Sequence, residues 1–528
     1  VIARIFKKDW ILLWPMVMLV TAIQTLLEWS DYDLSVVNAN AAAVELIRPL
    51  TVAWVLGIAA LVVAVVHQDP IPGVEQDWLI RPIKRTDLLI AKMLFLLVTI
   101  SMPMMVLNLV HALAIGFPFG DVIGVIVYKQ FYTFVFLILP LMALGAATRN
   151  LTELTLLGAG LVIAYAACSA SSAYFWGTAR CPTCGSGLVW QQHLLQHVEL
   201  GVGAVVVLSL QYFRRRTTVS RVLILLAAAA LVFVQLPWSA AFAIQQRLSG
   251  RTGAPAGVNV AVAGAVTVEN ADTQQRSARR QATRALMNGD VDQAFGYLKR
   301  DGRGASTRLE IPLQADGVAD DELLLVDRAA AHLGDSKRVL YHSDPIEEDP
   351  GFLSPPAMQT GAAPDVPRQT IRVPAALLAN RTAAPRELTV DYWLTEMKVI
   401  EEHRMPVLDG ELRSPEAGVC RSHLEEDIVL LQCRRVGPGQ FCLSATLYGP
   451  DGAHDAEARR CLPDYRPYMP AYVFVLSYFS LELPVRDHTG AAHYAVDPAD
   501  FDRSYLIFKI YGQGAHFTQS VGPVRVGG

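Results

Sequence analysis

Seven apolar runs, each near the length of a membrane crossing, crowd into the first 245 or so residues of this 528-residue chain. Spanning about 30 Å of hydrocarbon at about 1.5 Å per residue takes about 20 mostly apolar residues. A backbone in lipid must also satisfy its own hydrogen bonds, which a helix does. The runs cover roughly 10–28, 47–67, 88–116, 122–147, 151–173, 198–213 and 221–243. A polytopic α-helical membrane domain is therefore expected, with Pro15, Pro103 and Pro140 as places to kink. The sixth run is short and rich in glycine and valine. The remainder of the chain carries ordinary numbers of charges, prolines and glycines, and is ample for one or two packed domains.

Loop charges orient the runs, because lysine and arginine stay on the cytoplasmic side. One set of loops holds Arg4, Lys7 and Lys8, then Arg81, Lys84 and Arg85, then Arg149, then Arg214, Arg215, Arg216 and Arg221. The alternate loops hold mainly Glu28, Asp31, Asp33, Glu45, Asp121 and Glu199. The N-terminus is expected in the cytoplasm, and seven crossings put the C-terminal half outside it. No small-residue cleavage site follows the first run, so a retained span rather than a signal peptide is expected. A net charge of −4 argues neither for nor against nucleic acid.

The connection between the second and third runs is longer than a turn needs. In it Trp78, Leu79, Ile80 and Ile83 are apolar, while Arg81, Lys84, Arg85 and Lys92 are cationic. That is the profile of a helix lying at the cytoplasmic interface, open to lipid phosphates or to a docking protein; the alternative is a basic loop that only fixes topology. Within the runs stand Asn108, His111, Lys129, Gln130 and Glu153. Ionisable groups inside a membrane are costly and often mark a pathway or a helix interface, although Lys129 and Glu153 lie near enough to the run ends to snorkel.

Between the fifth and sixth runs, Cys181 and Cys184 precede His193 and His197. Two thiolates and two imidazoles four residues apart could hold a tetrahedral zinc. An oxidising compartment favours a disulfide instead, and free thiols are a third state. Leu188, Val189, Trp190, Leu194 and Leu195 give this loop the look of a re-entrant or interfacial helix pair.

Past residue 246 the patterning changes. Residues 246–303 read as a small-residue linker followed by a helical segment, and 344–385 as a proline-rich loop. Period-two runs at 309–313, 388–392, 472–483 and 505–511 predict strands, and 304–528 is read as one or two β-sandwich-like modules. Cys420, Cys433, Cys442 and Cys461 suggest two disulfides with three pairings open. No His-Glu-x-x-His, Gly-x-Ser-x-Gly or Gly-x-x-x-x-Gly-Lys-Ser/Thr motif occurs, so no catalytic set or phosphate loop is visible, and Glu401-Glu402-His403 reads as a solvated strand end.

The elbow Arg4-Ile5-Phe6-Lys7-Lys8-Asp9-Trp10, the Asp69-Pro70 pair, Trp78-Leu79-Ile80-Arg81-Pro82-Ile83-Lys84-Arg85 and Leu88-Leu89-Ile90-Ala91-Lys92 together resemble the permease subunits of type 2 ABC exporters. The likeness covers about residues 1–213. It implies a six-span domain that works as a dimer of two copies with two separate ATPase subunits, which hold ATP and magnesium; the chain itself needs no cofactor and no nucleic acid. It makes Asp77, Trp78, Arg81, Pro82, Arg85 and Lys92 a coupling helix on the ATPase and Arg149 a second contact, with Asn108 and His111 on a substrate pathway. A seventh helix over 214–245 and an extracytoplasmic, periplasmic β region, expected to gate or hand on substrate, extend the plain pattern in an inner membrane. The alternatives are a membrane-anchored external enzyme or receptor, and a mechanotransmitter acting on an envelope partner.

Overall fold

The structure is a computed structural model. It describes residues 1–36, 41–69, 84–175, 188–233, 235–250, 253–269, 306–319, 321–335, 338–342, 352–353, 368–374, 386–425, 428–436, 441–452, 458–462, 476–484, 496 and 500–526. A helical half precedes a strand-rich half, and among the described residues six helices are long and apolar enough to cross a membrane, which marks a membrane protein. They are α1 (Ile2–Val36), α2 (Ala41–His67), α3 (Arg85–Leu96) running into α4 (Met102–Ile115), α5 (Phe119–Thr133) running into α6 (Leu139–Ala146), α7 (Leu151–Phe175) and α8 (Val189–Ser209).

Two of these spans are continued through a π-helical turn. Leu97–Ser101 joins α3 to α4 and Phe134–Ile138 joins α5 to α6, each ending just before a proline at the start of the next segment. Proline lacks the N–H and crowds the carbonyl four residues back. A widened turn ahead of it accommodates both, so Pro103 and Pro140 are absorbed without breaking the span. The sixth span runs from Trp190 to Arg214, longer than the apolar run alone suggests. The seventh run is divided: α9 (Thr217–Phe233) meets α10 (Trp238–Ser249) at 86°, with Pro237 capping the second helix.

The bundle packs along one stripe of α1. Ile5, Asp9, Leu13, Val17, Val20, Gln24, Leu27 and Glu28 are its buried residues, recurring every three or four positions. The apolar members meet Trp54, Ile58, Leu61 and Val65 of α2 and Leu88, Ala91 and Phe95 of α3. Glycine makes room between packed helices: a Cβ at Gly57 would stand 3.2 Å from Val20, and one at Gly145 would stand 3.3 Å from Val66. α7 is different. None of its 18-residue apolar window is buried.

The strand-rich half is built on two long strands, β8 (Arg386–Pro406) and β15 (Tyr505–Val526), paired antiparallel over nearly their whole length. Beside them, β4 (Glu322–Asp335), β5 (Arg338–His342), β12 (Phe441–Tyr448) and β13 (Ala458–Leu462) complete a sheet in the order β13-β12-β15-β8-β4-β5, with β6 (Phe352–Leu353) also on β4. Two smaller sheets complete the region. One is β1 (Asn259–Val262), β3 (Ser306–Asp316) and β2 (Thr267–Glu269), with β7 (Arg368–Pro374) also on β3. The other is β14 (Leu476–Pro484), β11 (Ile428–Val436), β10 (Gly418–Glu425) and β9 (Gly410–Ser414).

The first core joins Leu388, Val390, Tyr392 and Leu394 to Leu309, Ile311 and Leu313. The second joins Met405 to Val429, Leu431, Leu481, Phe508 and Ile510. On β8 the first set is even-numbered and Met405 is odd, so strict alternation would put the cores on opposite faces. A bulge prevents that. Ile510 pairs with Glu401 and Tyr511 with Val399, which leaves Ile400 as an extra residue, reverses the parity and keeps both cores on one face.

The C-terminal half is thus a β-sheet region, as expected from its period-two runs, and the described strands interlock. It also draws in β1 and β2 from the stretch read as linker, and β6 and β7 from the stretch read as a proline-rich loop, because β3 and β4 offer them open edges. The helical reading of 273–300 lies outside the described residues. A Cys420–Cys433 disulfide forms across β10 and β11. Cys442 is disulfide-bonded too and stands opposite Cys461 in the ladder of β12 and β13.

Candidate functional site

The stripe of α1 carries a carboxylate near each end, and each carries a charge network. At the end of the bundle away from the strands, Lys92 of α3 is fully buried. Its ammonium donates to the Val65 carbonyl at 2.7 Å and lies 2.8 Å from Asp69 Oδ2 and 3.1 Å from Asp9 Oδ2. Lys8 adds two hydrogen bonds to Asp69, at 2.8 and 2.7 Å. Burial pushes the Asp69 carboxyl up, but the ammoniums of Lys92 and Lys8 outweigh it and hold it below the usual range. The result ties α1, the end of α2 and α3 together, with Phe6 on Phe95 edge-on beside it at 5.3 Å.

Arg85, half-buried, is the first residue of α3, seven residues before this clamp. Asp77, Trp78, Arg81 and Pro82 lie outside the described residues. Lys92 therefore stands inside the bundle, whereas Arg149 stands at the surface, 61% exposed. Arg149 belongs to a tight corner: its backbone N–H donates to Glu153, and Arg221 donates to the same carboxylate and to the Ala147 carbonyl at 2.9 Å. Nearby, His67 Nε2 is 3.0 Å from Thr148 Oγ1.

At the end nearer the strands, Glu28 meets α4 and α5. Asn108 Nδ2 donates to Glu28 Oε1 at 2.9 Å, and His111 Nδ1 is 3.1 Å from Oε2. Lys129 Nζ donates to Asn108 Oδ1 at 2.6 Å and lies 3.9 Å from Glu28 Oε1. All four side chains are buried. Lys129 is engaged inside the bundle rather than snorkelling, and Glu28, read from the sequence as a loop residue, is the acceptor at the centre. Its signal was the spacing Val20–Gln24–Glu28, which continues the apolar stripe for two more turns. Asp9 was missed for the same reason at the other end. Glu153 does sit at a helix end, as the snorkelling alternative had it.

His193 and His197 share a face of α8, with ring centroids 6.2 Å apart. His197 Nδ1 is 2.5 Å from the His193 carbonyl, and its ring packs on Tyr132 and Phe136. Cys181 and Cys184 lie outside the described residues. Among the described residues no group of three or more His, Cys, Asp or Glu side chains is placed to hold a metal. Near the end of β8, Glu402 is exposed, while Glu401 and His403 pair at 2.9 Å and Ser414 donates to the same carboxylate, fastening β9.

Among the described residues, the helical and strand-rich halves touch at the α4–α5 turn and along α10. Arg413 donates to the Gly116 carbonyl in the α4–α5 turn at 2.9 Å, and Val419 joins Ala112, Phe117, Val122 and Ile126 in a small apolar cluster. α10 lies on the other face of the long sheet, where Trp238 packs against Trp393 and under the Arg328 guanidinium, 4.6 Å from its ring. Gln246 donates to the His516 carbonyl at 2.9 Å. On α8, Gln192 accepts the Leu236 N–H at 2.6 Å and Gln191 donates to the Ala241 carbonyl at 3.1 Å, gripping the elbow before α10.

No protein-family model matches the chain, and no curated protein compared with it matches.

Proposed function

We propose that this chain is the permease subunit of an ATP-driven type 2 ABC exporter, set in an inner membrane with its N-terminus in the cytoplasm and its strand-rich half outside, in the periplasm. The observation that carries the reading is the Lys92 clamp. A partner pressing on the basic segment before Arg85 pushes on α3, and the clamp passes that displacement to α1 and the end of α2 through one ammonium and two carboxylates. In this reading ATP hydrolysis is supplied by separate subunits, since no phosphate-loop motif occurs in these residues. Asp77, Trp78, Arg81, Pro82 and Arg85 form the docking face, Arg149 the second contact, and Asn108 and His111 line the substrate pathway.

The bare flank of α7 supports a second copy of the chain as the other half of the transporter. Co-purification of an ATPase and ATP-stimulated activity in vesicles test the coupling. If an Arg81→Ala/Arg85→Ala double variant keeps both ATPase binding and activity, the coupling role is wrong. One observation favours a second reading, mechanical transmission to an envelope partner. The strand-rich half is fastened to the α4–α5 turn and to the α10 elbow, so bundle motion reaches it from two points. Substrate movement in vesicles holding both subunits separates the two.

A further inference from the structure

Glu28 sits in a receptor made of donors. Asn108 Nδ2 and Lys129 Nζ can only donate, and His111 Nδ1 donates to Glu28 when it carries the ring proton. The donors come from α4 and α5, which pack on one another and share the turn that Arg413 holds. Glu28 alone comes from α1. The receptor is also braced without it: Lys129 is bonded to Asn108 Oδ1 at 2.6 Å, and Asn108 Nδ2 also donates to the Met104 carbonyl at 2.7 Å.

One turn further from the strands, the same stripes of α1 and α5 carry more polar atoms. Gln24 Nε2, both amide atoms of Gln130 and Thr133 Oγ1 are buried and have no hydrogen-bond partner. Buried polar groups are nearly always paired, and these offer donors and an acceptor to whatever enters beside them.

We propose that Asn108, His111 and Lys129 form the binding site for the anionic head, phosphate or carboxylate, of an amphiphilic substrate, and that Glu28 fills this site as a stand-in until α1 moves aside. The inference rests on the exporter reading and names its substrate class. A buried ammonium cannot simply lose its counter-ion, so exchange of one anion for another is the inexpensive route out of the resting state. The anion travels with an apolar tail because the outer faces of the same helices, Leu19 and Leu26 on α1 and Val127 and Phe131 on α5, are exposed and apolar.

The test uses the full chain in neutral maltoside detergent, with thermal unfolding followed as dodecyl phosphate is added. Removing the stand-in charge with Glu28→Gln should let dodecyl phosphate stabilise the protein at concentrations at least about tenfold lower than wild type requires. The Lys129→Gln and Glu28→Gln/Lys129→Gln variants should show no such stabilisation. Should Glu28→Gln fail to fold, Glu28→Asp, whose carboxylate is one methylene shorter, should give an intermediate tightening. Equal response of wild type and the Glu28 variants, or full response in Lys129→Gln, would overturn the site. Inorganic phosphate acting as well as dodecyl phosphate would overturn the amphiphile. No ATPase is needed, so failure here and failure of ATP coupling are read separately.

Discussion

Lys92 and His516 show how single side chains set the terms for whole elements. Lys92 balances two carboxylates in a site where none of the three is more than 14% exposed. Replacing it with methionine leaves Asp9 and Asp69 with Lys8 alone, at a cost of about 3–5 kcal/mol. The expected outcome is a Lys92→Met protein with a sharply lower unfolding midpoint in detergent, partly restored by Asp9→Asn. In the strand-rich half, Thr395 Oγ1 donates to Asp327 at 2.5 Å and lies 2.7 Å from His516 Nδ1, beneath Phe242 of α10. Burial pushes the Asp327 carboxyl up to about 7, although Thr395 and Arg328 pull the other way, and burial pushes His516 down to about 4. The raised carboxyl stabilises the fold at low pH and loses that contribution as pH rises through about 7. The lowered imidazole stabilises it above its unfolded pKa of about 6.5 and loses that as pH falls through about 4. Between about 4 and 6.5 the two slopes oppose each other, so wild-type stability should be nearly flat there. Asp327→Asn should become more stable with rising pH and His516→Gln less, each by no more than about 1.4 kcal/mol per pH unit. Thermal midpoints of the full chain across that range check both signs.

At the scale of elements, the pairing register around Ile400 decides which side of β8 is buried. Deleting Ile400 removes only the unpaired residue, so Met405 keeps its partner and its face, while inserting one residue after Glu401 would turn Met405 to the wrong face. Loss of folded protein on the insertion, with folding retained on the deletion, is the expected pair of results. The apolar spans were legible in the sequence because length and hydropathy suffice to find them, and so was one stretch of each long strand, 388–392 and 505–511, where alternation is regular; bulges break it elsewhere. The buried networks were not. Glu28 adjoins Trp29, Ser30 and Asp31, which look like a loop, and only its helical spacing from Val20 places it inside. β1 and β2 are short runs of small residues whose strand character comes from pairing with β3, a partner some fifty residues away that local propensity cannot see. The elbow between α9 and α10 interrupts a run that hydropathy alone reads as continuous, because Trp238 and Phe242 find a sheet to pack on.

For the whole molecule, α7 is where the proposed second copy can be probed cleanly. A Cβ at Gly158 or Gly160 would meet nothing within 4 Å, so the chain itself has room for a larger side chain there. A Gly160→Ile variant should fold and melt like wild type. Light scattering should show it with half the wild-type mass if small residues on α7 let two copies approach closely. Unchanged mass would place the second copy on another flank. The two long strands bear on a different property of the molecule. β8 and β15 each contribute one end to the first core and the other end to the second. Neither core has a boundary at which the chain could be cut to leave the other whole, so the strand-rich half is one cooperative unit, gained or lost in a single event as the chain emerges and folds.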